Sequence, residues 1–318
     1  MVLLFLVIAG MGIIFWFTNA HLELLSANWS FVVLACVSFV ASVVVWLIAW
    51  GHLVKRSHSL KVRESVLAGL SCLYGALTPM QVGAEALRAL KLKQRHGVPY
   101  SDSISASMVA KGLKFFILAV SASFLIFSFM LAASSNALLF WGFLSGFIIV
   151  VIATLFFLLP LNPVFGKSIS SAFSGIGKRS YIMAKPCFRL AEFFRNYSNY
   201  LKKVSLNSFL LVFVLVAISW AFEFFTLQLS FLALGIYIPI SSIIVLLVLT
   251  GILERAPFIP RGIGLVEIVG YTFLAFPALV HYSLTIPQIG AVLIVYDIAR
   301  LVVPTLLGIG MEFVTMRR

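Results

Sequence analysis

Six stretches of the chain are predominantly apolar and about as long as a membrane-crossing helix, and polar segments separate them. A helix needs about 20 apolar residues to cross the hydrocarbon core of a bilayer. The pattern therefore predicts six transmembrane helices, with approximate ranges 1–19, 29–51, 104–131, 137–160, 206–235 and 287–312. The first stretch lacks a basic leader and a small-residue cleavage site, so we interpret it as a retained span and not as a signal peptide.

The overall composition supports a membrane protein. The sequence has 318 residues, of which 62% are hydrophobic and 10% charged, and its mean hydropathy is +1.12. Soluble domains carry about 25% charged residues, and a chain of this length has too little interior to bury so much apolar surface. A soluble enzyme, a disordered tail and a collagen-like fibre are excluded. We predict an all-α polytopic membrane protein with a single transmembrane domain over residues 1–318.

The distribution of positive charge predicts the orientation in the membrane. There are 23 Lys and Arg residues against 10 Asp and Glu residues, which gives a net charge of +13. The most basic segments are 52–64, 167–203 and the C-terminal residues 316–318. Because basic loops lie on the cytoplasmic side, both termini are predicted to be cytoplasmic in a multi-pass protein of the plasma membrane. We expect these loops to contact anionic membrane lipids and not nucleic acid.

One apolar segment, 64–98, is too interrupted to be a simple span. It contains Thr78 and Pro79, and proline breaks the hydrogen-bond ladder of a helix. Basic residues flank it on both sides, at 52–64 and 88–95, so both flanks are predicted to be cytoplasmic. The segment must then enter the membrane and return on the same side, as a re-entrant helix hairpin.

A second segment, 239–282, is also apolar and interrupted by proline, glycine and charge. The preceding span is predicted to run outward and the following span inward, so both ends of this segment lie outside. We call 64–98 the first hairpin and 239–282 the second hairpin. Two broken-helix hairpins that enter from opposite faces are typical of an inverted-repeat transporter with a site near the middle of the membrane. The alternative is that each segment is one kinked span plus a short helix.

The basic segment 167–203 is not predicted to be a span. Residues 168–178 are rich in Ser and Gly and are predicted to form a loop. From 184 to 204, apolar residues recur at helical spacing among Lys and Arg residues, which is typical of an amphipathic helix lying on the inner leaflet. A solvated linker is the alternative.

Charged residues inside the apolar segments are the candidate functional residues, because such charges are costly unless they are paired or hydrated. Glu85 and Arg88 have i,i+3 spacing, as do Asp297 and Arg300, so each pair shares one face of a helix. We interpret Asp297 and Arg300 as an ion pair with either a structural or a transport role. The remaining intramembrane charges are Glu223, Glu254, Arg255, Arg261 and Glu267.

The tips of the two hairpins share an order of residues: proline, glycine, and then glutamate on a new helix. Glycine allows close approach to a ligand, a helix start presents free N–H groups to phosphate oxygens, and arginine adds fork-shaped donors. We expect the glutamates to pair with the arginines when the site is empty, or to contact a cationic headgroup. The candidate lipid-headgroup residues are Thr78, Pro79, Gly83, Glu85, Arg88, Glu254, Arg255, Pro260, Arg261, Gly262, Gly264 and Glu267.

These two motifs resemble the signatures of a known family. The stretch from Thr78 to Arg88 is similar to the Thr-Pro…Gly-Gly-Glu…Arg signature of the flippase-like transmembrane family of the UPF0104 type, which includes the membrane domain of lysylphosphatidylglycerol synthases. The stretch 257–267 is similar to the family's second signature, Pro-x-x-Pro-Gly-Gly-x-Gly-x-x-Glu. The chain departs from the family at Ala84 and Arg261, where glycines are usual, and at Lys111, where relatives tend to carry an acidic-arginine pair.

The resemblance implies movement of an anionic or headgroup-modified phospholipid, or of a polyprenyl-phosphate lipid, between the two leaflets. No catalytic motif is present, and the aminoacyltransferase domain of the synthases is not found in the chain, so we expect no enzyme activity. The five histidines lack metal-ligand spacing, and we predict neither a metal nor a cofactor. The alternative is a non-transporting subunit that presents lipid to a partner synthase or glycosyltransferase, or scaffolds it. An oligomer is compatible with both.

Overall fold

The protein is helical throughout the part that the structure describes. A computed structural model describes residues 2–57, 60–78, 81–133, 137–179, 183–200, 204–254, 261–275 and 283–316, and no β-strand occurs among them. Cys36, Cys72 and Cys187 are free. The all-α membrane architecture predicted from the sequence is confirmed.

Among the described residues, five helical stretches are long and apolar enough to cross a membrane: Trp29–Lys55, Tyr100–Ser123, Leu144–Leu161, Leu206–Leu232 and Ile286–Thr315. They belong to helices α3 (Trp29–Ser57), α6 (Tyr100–Ala133), α7 (Ala137–Leu158) and α10 (Leu206–Leu232), and to a composite C-terminal helix. That helix consists of α13 (Ile286–Asp297), a π-helical turn (Ile298–Val302) and α14 (Val303–Met316). The first predicted span forms α1 (Val2–Phe17), whose 16 residues are slightly short for a crossing. A short helix, α2 (His21–Leu25), follows it.

Helices α3 and α10 pack along each other. Ser38 Oγ donates to the Phe222 carbonyl oxygen at 2.8 Å, and Ser42 Oγ lies 3.0 Å from Ser219 Oγ. Because residue numbers rise on one helix as they fall on the other, the two helices are antiparallel. Small residues at such a contact let the backbones approach closely.

Each predicted hairpin forms separate helical arms. The first contains α4 (Val62–Leu70), a 3₁₀ turn (Leu73–Leu77) and α5 (Val82–His96), and the second contains α11 (Ile240–Leu253) and α12 (Leu265–Leu274). The arms of the first hairpin cross closely, because a Cβ added to Gly75 would lie 2.7 Å from the Ala84 backbone nitrogen. Each segment is therefore interrupted as predicted. The side from which each hairpin enters the membrane remains a prediction.

The loop predicted for residues 168–178 is wrong. These residues lie within a continuous helix, α8 (Pro163–Arg179), that packs against α9 (Ala184–Tyr200). Packing explains the outcome: a Cβ added to Gly166 would lie 2.3 Å from Ser198 Cβ, and Ser170 Oγ donates to the Ala191 carbonyl oxygen at 2.7 Å. The Ser and Gly side chains thus allow close helix contact and do not interrupt the helix.

Helix α9 is amphipathic as predicted, but much of its apolar face packs on protein and not on the leaflet. Phe194 and Tyr197 are buried, and burial raises the pKa of the Tyr197 phenol. Tyr197 Oη donates to the Phe157 carbonyl oxygen at 2.6 Å, and Tyr200 Oη donates to the Leu53 carbonyl oxygen at 2.8 Å. The α8–α9 pair is therefore fixed to the ends of α3 and α7, and the alternative of a solvated linker is wrong.

Candidate functional site

A cavity of about 90 Å³ lies where the two hairpins meet α3, α6, α10 and α14. Six charged side chains line it, namely Arg88, Lys111, Lys114, Glu223, Glu254 and Arg261. The remaining lining residues are mostly apolar or aromatic and include Phe39 and Trp46. Both hairpins, α3, α6, α10 and the C-terminal helix thus contribute to one strongly charged cavity.

In the first hairpin, α5 directs Arg88 toward two tryptophans of α3. Arg88 is 5% exposed, and its guanidinium carbon lies 4.7 Å from the ring centre of Trp46 and 5.2 Å from that of Trp50. Its Nε donates to the Ala84 carbonyl oxygen at 3.2 Å, and the Trp50 indole donates to the Ser103 carbonyl oxygen at 3.3 Å. Cation–π contacts hold the guanidinium in place without neutralising its charge. No carboxylate lies within 4.0 Å of Arg88 among the described residues.

Two of the predicted headgroup residues, Thr78 and Gly83, shape the turn of the first hairpin. Thr78 Oγ1 accepts from the Gly83 backbone N–H at 2.7 Å and donates to the Gly75 carbonyl oxygen at 2.8 Å. A Cβ on Gly83 would lie 2.7 Å from Thr78 Cγ2, so the contact requires glycine. Neither residue lines the cavity.

Two lysines of α6, each paired with a carboxylate, complete the side of the cavity next to the first hairpin. Lys111 pairs with Glu85, and Lys114 pairs with Glu223, whose Oε1 also accepts from Ser42 Oγ at 3.3 Å. The expectation that Glu85 pairs with Arg88 is therefore wrong. Sequence reasoning assigned neither lysine to the site, although two lysines within the apolar stretch 104–131 were a usable signal, because intramembrane charges mark function.

In the second hairpin, Arg261 points into the same cavity. It is 6% exposed, its φ is +47°, and its guanidinium carbon lies 5.4 Å from the Phe39 ring centre. Its Nε is buried without a hydrogen-bond partner, and no carboxylate lies within 4.0 Å among the described residues. The following Gly262 has φ +69°, and a Cβ there would lie 2.6 Å from the Leu253 carbonyl oxygen. The backbone of this tip thus needs a glycine next to Arg261.

The other charges of the second hairpin gather around Arg300, which is fully buried. Its guanidinium nitrogens lie 2.7 Å from Asp297 Oδ1, 2.7 Å from Glu267 Oε1 and 3.3 Å from Glu254 Oε1. Glu267 also accepts from the Gly264 backbone N–H at the start of α12. The expectation that Glu267 pairs with Arg261 is wrong. Of the two roles considered for Asp297 and Arg300, the geometry favours the structural one, because Arg300 joins both arms of the hairpin to the C-terminal helix.

The π-helical turn Ile298–Val302 contains Arg300, and such turns are frequent at functional sites. Arg300 Nη1 lies 3.4 Å from the Arg261 carbonyl oxygen, so the same side chain also holds the backbone of the hairpin tip. Two further cavities of about 220 Å³ each, largely apolar, are lined by Glu267, and one of them is also lined by Asp297. Three predicted site residues, Pro79, Arg255 and Pro260, lie outside the described residues.

The fold and the site define a polytopic helical membrane protein with a charged cavity lined in part by two broken-helix segments. The chain belongs to the family described as the lysylphosphatidylglycerol synthase TM region, whose model matches residues 2–308. It is similar to a UPF0104 membrane protein of Methanothermobacter thermautotrophicus, with 22% identity over 253 residues that cover 76% of this chain and 72% of the relative. No solved structure matches the chain significantly. The family resemblance predicted from the two motifs is confirmed.

Proposed function

We propose that the protein is a flippase-like transporter that moves an anionic or headgroup-modified phospholipid, or a polyprenyl-phosphate lipid, between leaflets of the plasma membrane. One observation carries the proposal: Arg88 and Arg261 come from different hairpins, are both buried without a carboxylate within 4.0 Å among the described residues, and line the same cavity. The family membership supports it, because the matched region is the membrane region of proteins named for a phospholipid product.

The physical argument rests on desolvation. A phosphate that crosses hydrocarbon without partners loses its hydration at a cost of many kcal/mol. Guanidinium groups replace that hydration with paired N–H donors in a geometry that matches phosphate oxygens. Conversely, a buried guanidinium without an anion is itself unfavourable. An anionic headgroup between Arg88 and Arg261 removes both costs.

The arrangement of the two hairpins supports alternating access. If the first hairpin enters from the cytoplasmic side and the second from outside, relative rocking of the two halves about the antiparallel α3–α10 contact opens the cavity to one leaflet at a time. The orientation follows the positive-inside rule, with both termini cytoplasmic.

Cysteine labelling in sealed vesicles tests this orientation. In a cysteine-free background, a cysteine replacing Lys178 on α8 should be protected from an impermeant reagent added outside. A cysteine replacing Tyr237, which is 72% exposed in the link between α10 and α11, should react. The reverse pattern of labelling would mean that the proposed topology is inverted.

Transfer of a labelled anionic lipid in proteoliposomes tests the function. Arg88→Ala and Arg261→Ala should each lower the rate about tenfold or more, because each removes a charge-assisted contact of about 1.5–3 kcal/mol. Arg→Lys at either position should also slow transfer, since lysine lacks the fork geometry. Lys55→Ala, an exposed charge at the end of α3, is the control and should transfer lipid normally. Normal transfer by both arginine variants would refute the mechanism and favour the non-transporting subunit.

A further inference from the structure

We infer that Asp297 and Glu267 form a proton-binding site, and that one proton bound there accompanies an anionic headgroup that enters the charged cavity. We call these two residues the carboxyl pair and the charged cavity of about 90 Å³ the headgroup cavity. The inference rests on the proposed function and adds a second transported species, a proton taken from water. It adds to the structural role of Arg300 and does not replace it.

The carboxyl pair occupies two donors of one guanidinium. Arg300 Nε donates to Asp297 Oδ1 and Arg300 Nη2 donates to Glu267 Oε1, both at 2.7 Å. In a bidentate contact, both oxygens of a single carboxylate take such positions, whereas here each oxygen belongs to a different residue. The two carboxyl groups are also within hydrogen-bonding reach of each other. Because ionised carboxylates only accept hydrogen bonds and repel each other when close, one proton shared by the pair stabilises this arrangement.

The carboxyl pair is buried and has one cationic partner. Asp297 is 2% exposed and Glu267 is 6% exposed, and Arg300 is the cation within 4.0 Å of either group among the described residues. The other ionisable side chains around the pair and Arg300 are Glu254 of α11, Arg261 of the hairpin tip, Tyr271 of α12, Tyr296 of α13, Glu223 of α10 and Cys36 of α3. Helices α1 and α2 also pack here, through the apolar side chains of Met11 and Leu24. A proton therefore supplies the pair with a second positive charge.

The charge around the headgroup cavity is balanced when every group is ionised. Among the described residues, the cations are Arg88, Lys111, Lys114, Arg261 and Arg300, and the acids are Glu85, Glu223, Glu254, Glu267 and Asp297. An anionic headgroup that enters this balanced set alone adds an uncompensated negative charge inside the membrane, which is costly. A proton on the carboxyl pair cancels that charge. The headgroup and the proton therefore favour each other's binding.

Arg300 connects the carboxyl pair to the headgroup cavity. Its Nη1 lies 3.3 Å from Glu254 Oε1 and 3.4 Å from the Arg261 carbonyl oxygen, and both of these residues line the cavity. Arg261 Nε is a buried donor without a hydrogen-bond partner, and a headgroup oxygen would supply the acceptor. A single side chain thus separates the proton site from the headgroup cavity, which is close enough for electrostatic coupling.

The carboxyl pair has its own cavities. One cavity of about 220 Å³ is lined by both Asp297 and Glu267, and a second of about 220 Å³ is lined by Glu267 and Tyr271. The headgroup cavity is lined by neither member of the pair. Each of the two cavities exceeds the volume of a water molecule, so water in them gives a proton a route that avoids the headgroup cavity.

A proton fits this site better than a metal cation. The three carboxyl groups around Arg300 each direct an oxygen at its guanidinium, and no cluster suited to a metal ion occurs in the described part of the chain. A hard cation needs several oxygen ligands around it. A shared proton needs only one oxygen from each member of the pair.

Infrared spectra of the intact protein in lipid nanodiscs test the site directly. A protonated carboxyl group has a C=O stretching band that an ionised one lacks. The wild type should lose one such band as the pH is raised, and Asp297→Asn and Glu267→Gln should each abolish this same band, because it belongs to a shared proton. Glu192→Gln, an exposed acid on α9, is the matched control and should keep it. Two bands that titrate independently, one lost in each variant, would overturn the shared site.

The pH dependence of lipid binding tests the coupling. Phosphatidylglycerol is the anionic probe and phosphatidylcholine the zwitterionic control, and bound lipid is measured by native mass spectrometry. Above the pH at which the band disappears, affinity for phosphatidylglycerol should fall by up to about tenfold per pH unit. Asp297→Asn has the charge of the protonated pair, so it should bind as tightly as the wild type at low pH and vary less than about twofold with pH. Weak binding by this variant at every pH, or unchanged pH dependence, would overturn the coupling. If neither variant folds, the pH dependence of the wild type decides the question.

Transfer of labelled phosphatidylglycerol in proteoliposomes separates the inference from the proposed function. A pH gradient should drive net transfer from the acidic to the alkaline side in the wild type but not in Asp297→Asn. Transfer driven by a sodium gradient instead would overturn the proton as the accompanying ion. Transfer that neither gradient affects would overturn the coupling and leave lipid transport in place, whereas no transfer at all would overturn the proposed function and the coupling with it.

Discussion

The two hairpins use the same kinds of residues in different ways. In the first, Arg88 stacks on tryptophans and faces the cavity, while Glu85 pairs with Lys111. In the second, Arg300 of the C-terminal helix binds three carboxylates, two of them from the hairpin, and is fully buried. The comparison shows that a charge near a hairpin tip is not by itself a ligand-binding charge. Its role depends on whether a carboxylate or a cavity faces it.

Substitution of Arg300 should therefore have the largest effect on stability. Arg300→Gln leaves three buried carboxylates without their cation, and removing one partner of a buried ion pair costs about 3–5 kcal/mol. We expect a much lower yield of folded protein and a large fall in the thermal unfolding temperature in detergent. Arg300→Lys keeps the charge and should restore part of the loss. A stable Arg300→Gln protein would mean that the second hairpin does not depend on this cluster.

Substitution of Gly262, at the tip of the second hairpin, should have the next largest effect on stability. Gly262→Ala introduces a Cβ at φ +69° and 2.6 Å from the Leu253 carbonyl oxygen, and we expect a loss of about 2–4 kcal/mol of unfolding free energy. Gly97, at the end of α5, has the same φ of +69° but open space around its Cβ position. Gly97→Ala should cost only about 1–2 kcal/mol. Equal losses would show that strain in φ, and not the close contact, is the cause.

The Glu85–Lys111 pair gives a smaller but more specific test. A double-mutant cycle with Glu85→Gln and Lys111→Gln should show a coupling of about 1–2 kcal/mol in unfolding free energy, because the two side chains form an ion pair. The corresponding cycle with Glu85→Gln and Arg88→Gln should be closer to additive, since no ion pair joins these residues. The opposite ranking would restore the local i,i+3 pairing that the sequence suggested.

Local sequence pattern predicted the helices and their interruptions well, because these depend on apolar length and on breaks near proline and glycine. It failed where distant segments decide the outcome. The i,i+3 spacing of Asp297 and Arg300 corresponds to a real ion pair, whereas the same spacing in Glu85 and Arg88 does not, since α6 supplies Lys111. In the same way, the Ser and Gly residues of α8 suggested a loop only because their packing partner, α9, was unknown.

The contacts of the first hairpin have a consequence for biosynthesis. Its 3₁₀ turn lies against Gly308, where a Cβ would be 2.9 Å from the Tyr74 backbone nitrogen, Lys91 pairs with Glu312, and Arg95 Nη2 donates to the Thr315 carbonyl oxygen at 2.8 Å. Lys91 and Glu312 are 221 residues apart, and a ribosome that adds 5–20 residues per second needs roughly 10–45 s to cover that distance. During this time the hairpin has been made but its docking surface on the C-terminal helix has not. The first hairpin therefore completes its packing only when the last helix has been inserted, so the order of packing differs from the order of synthesis.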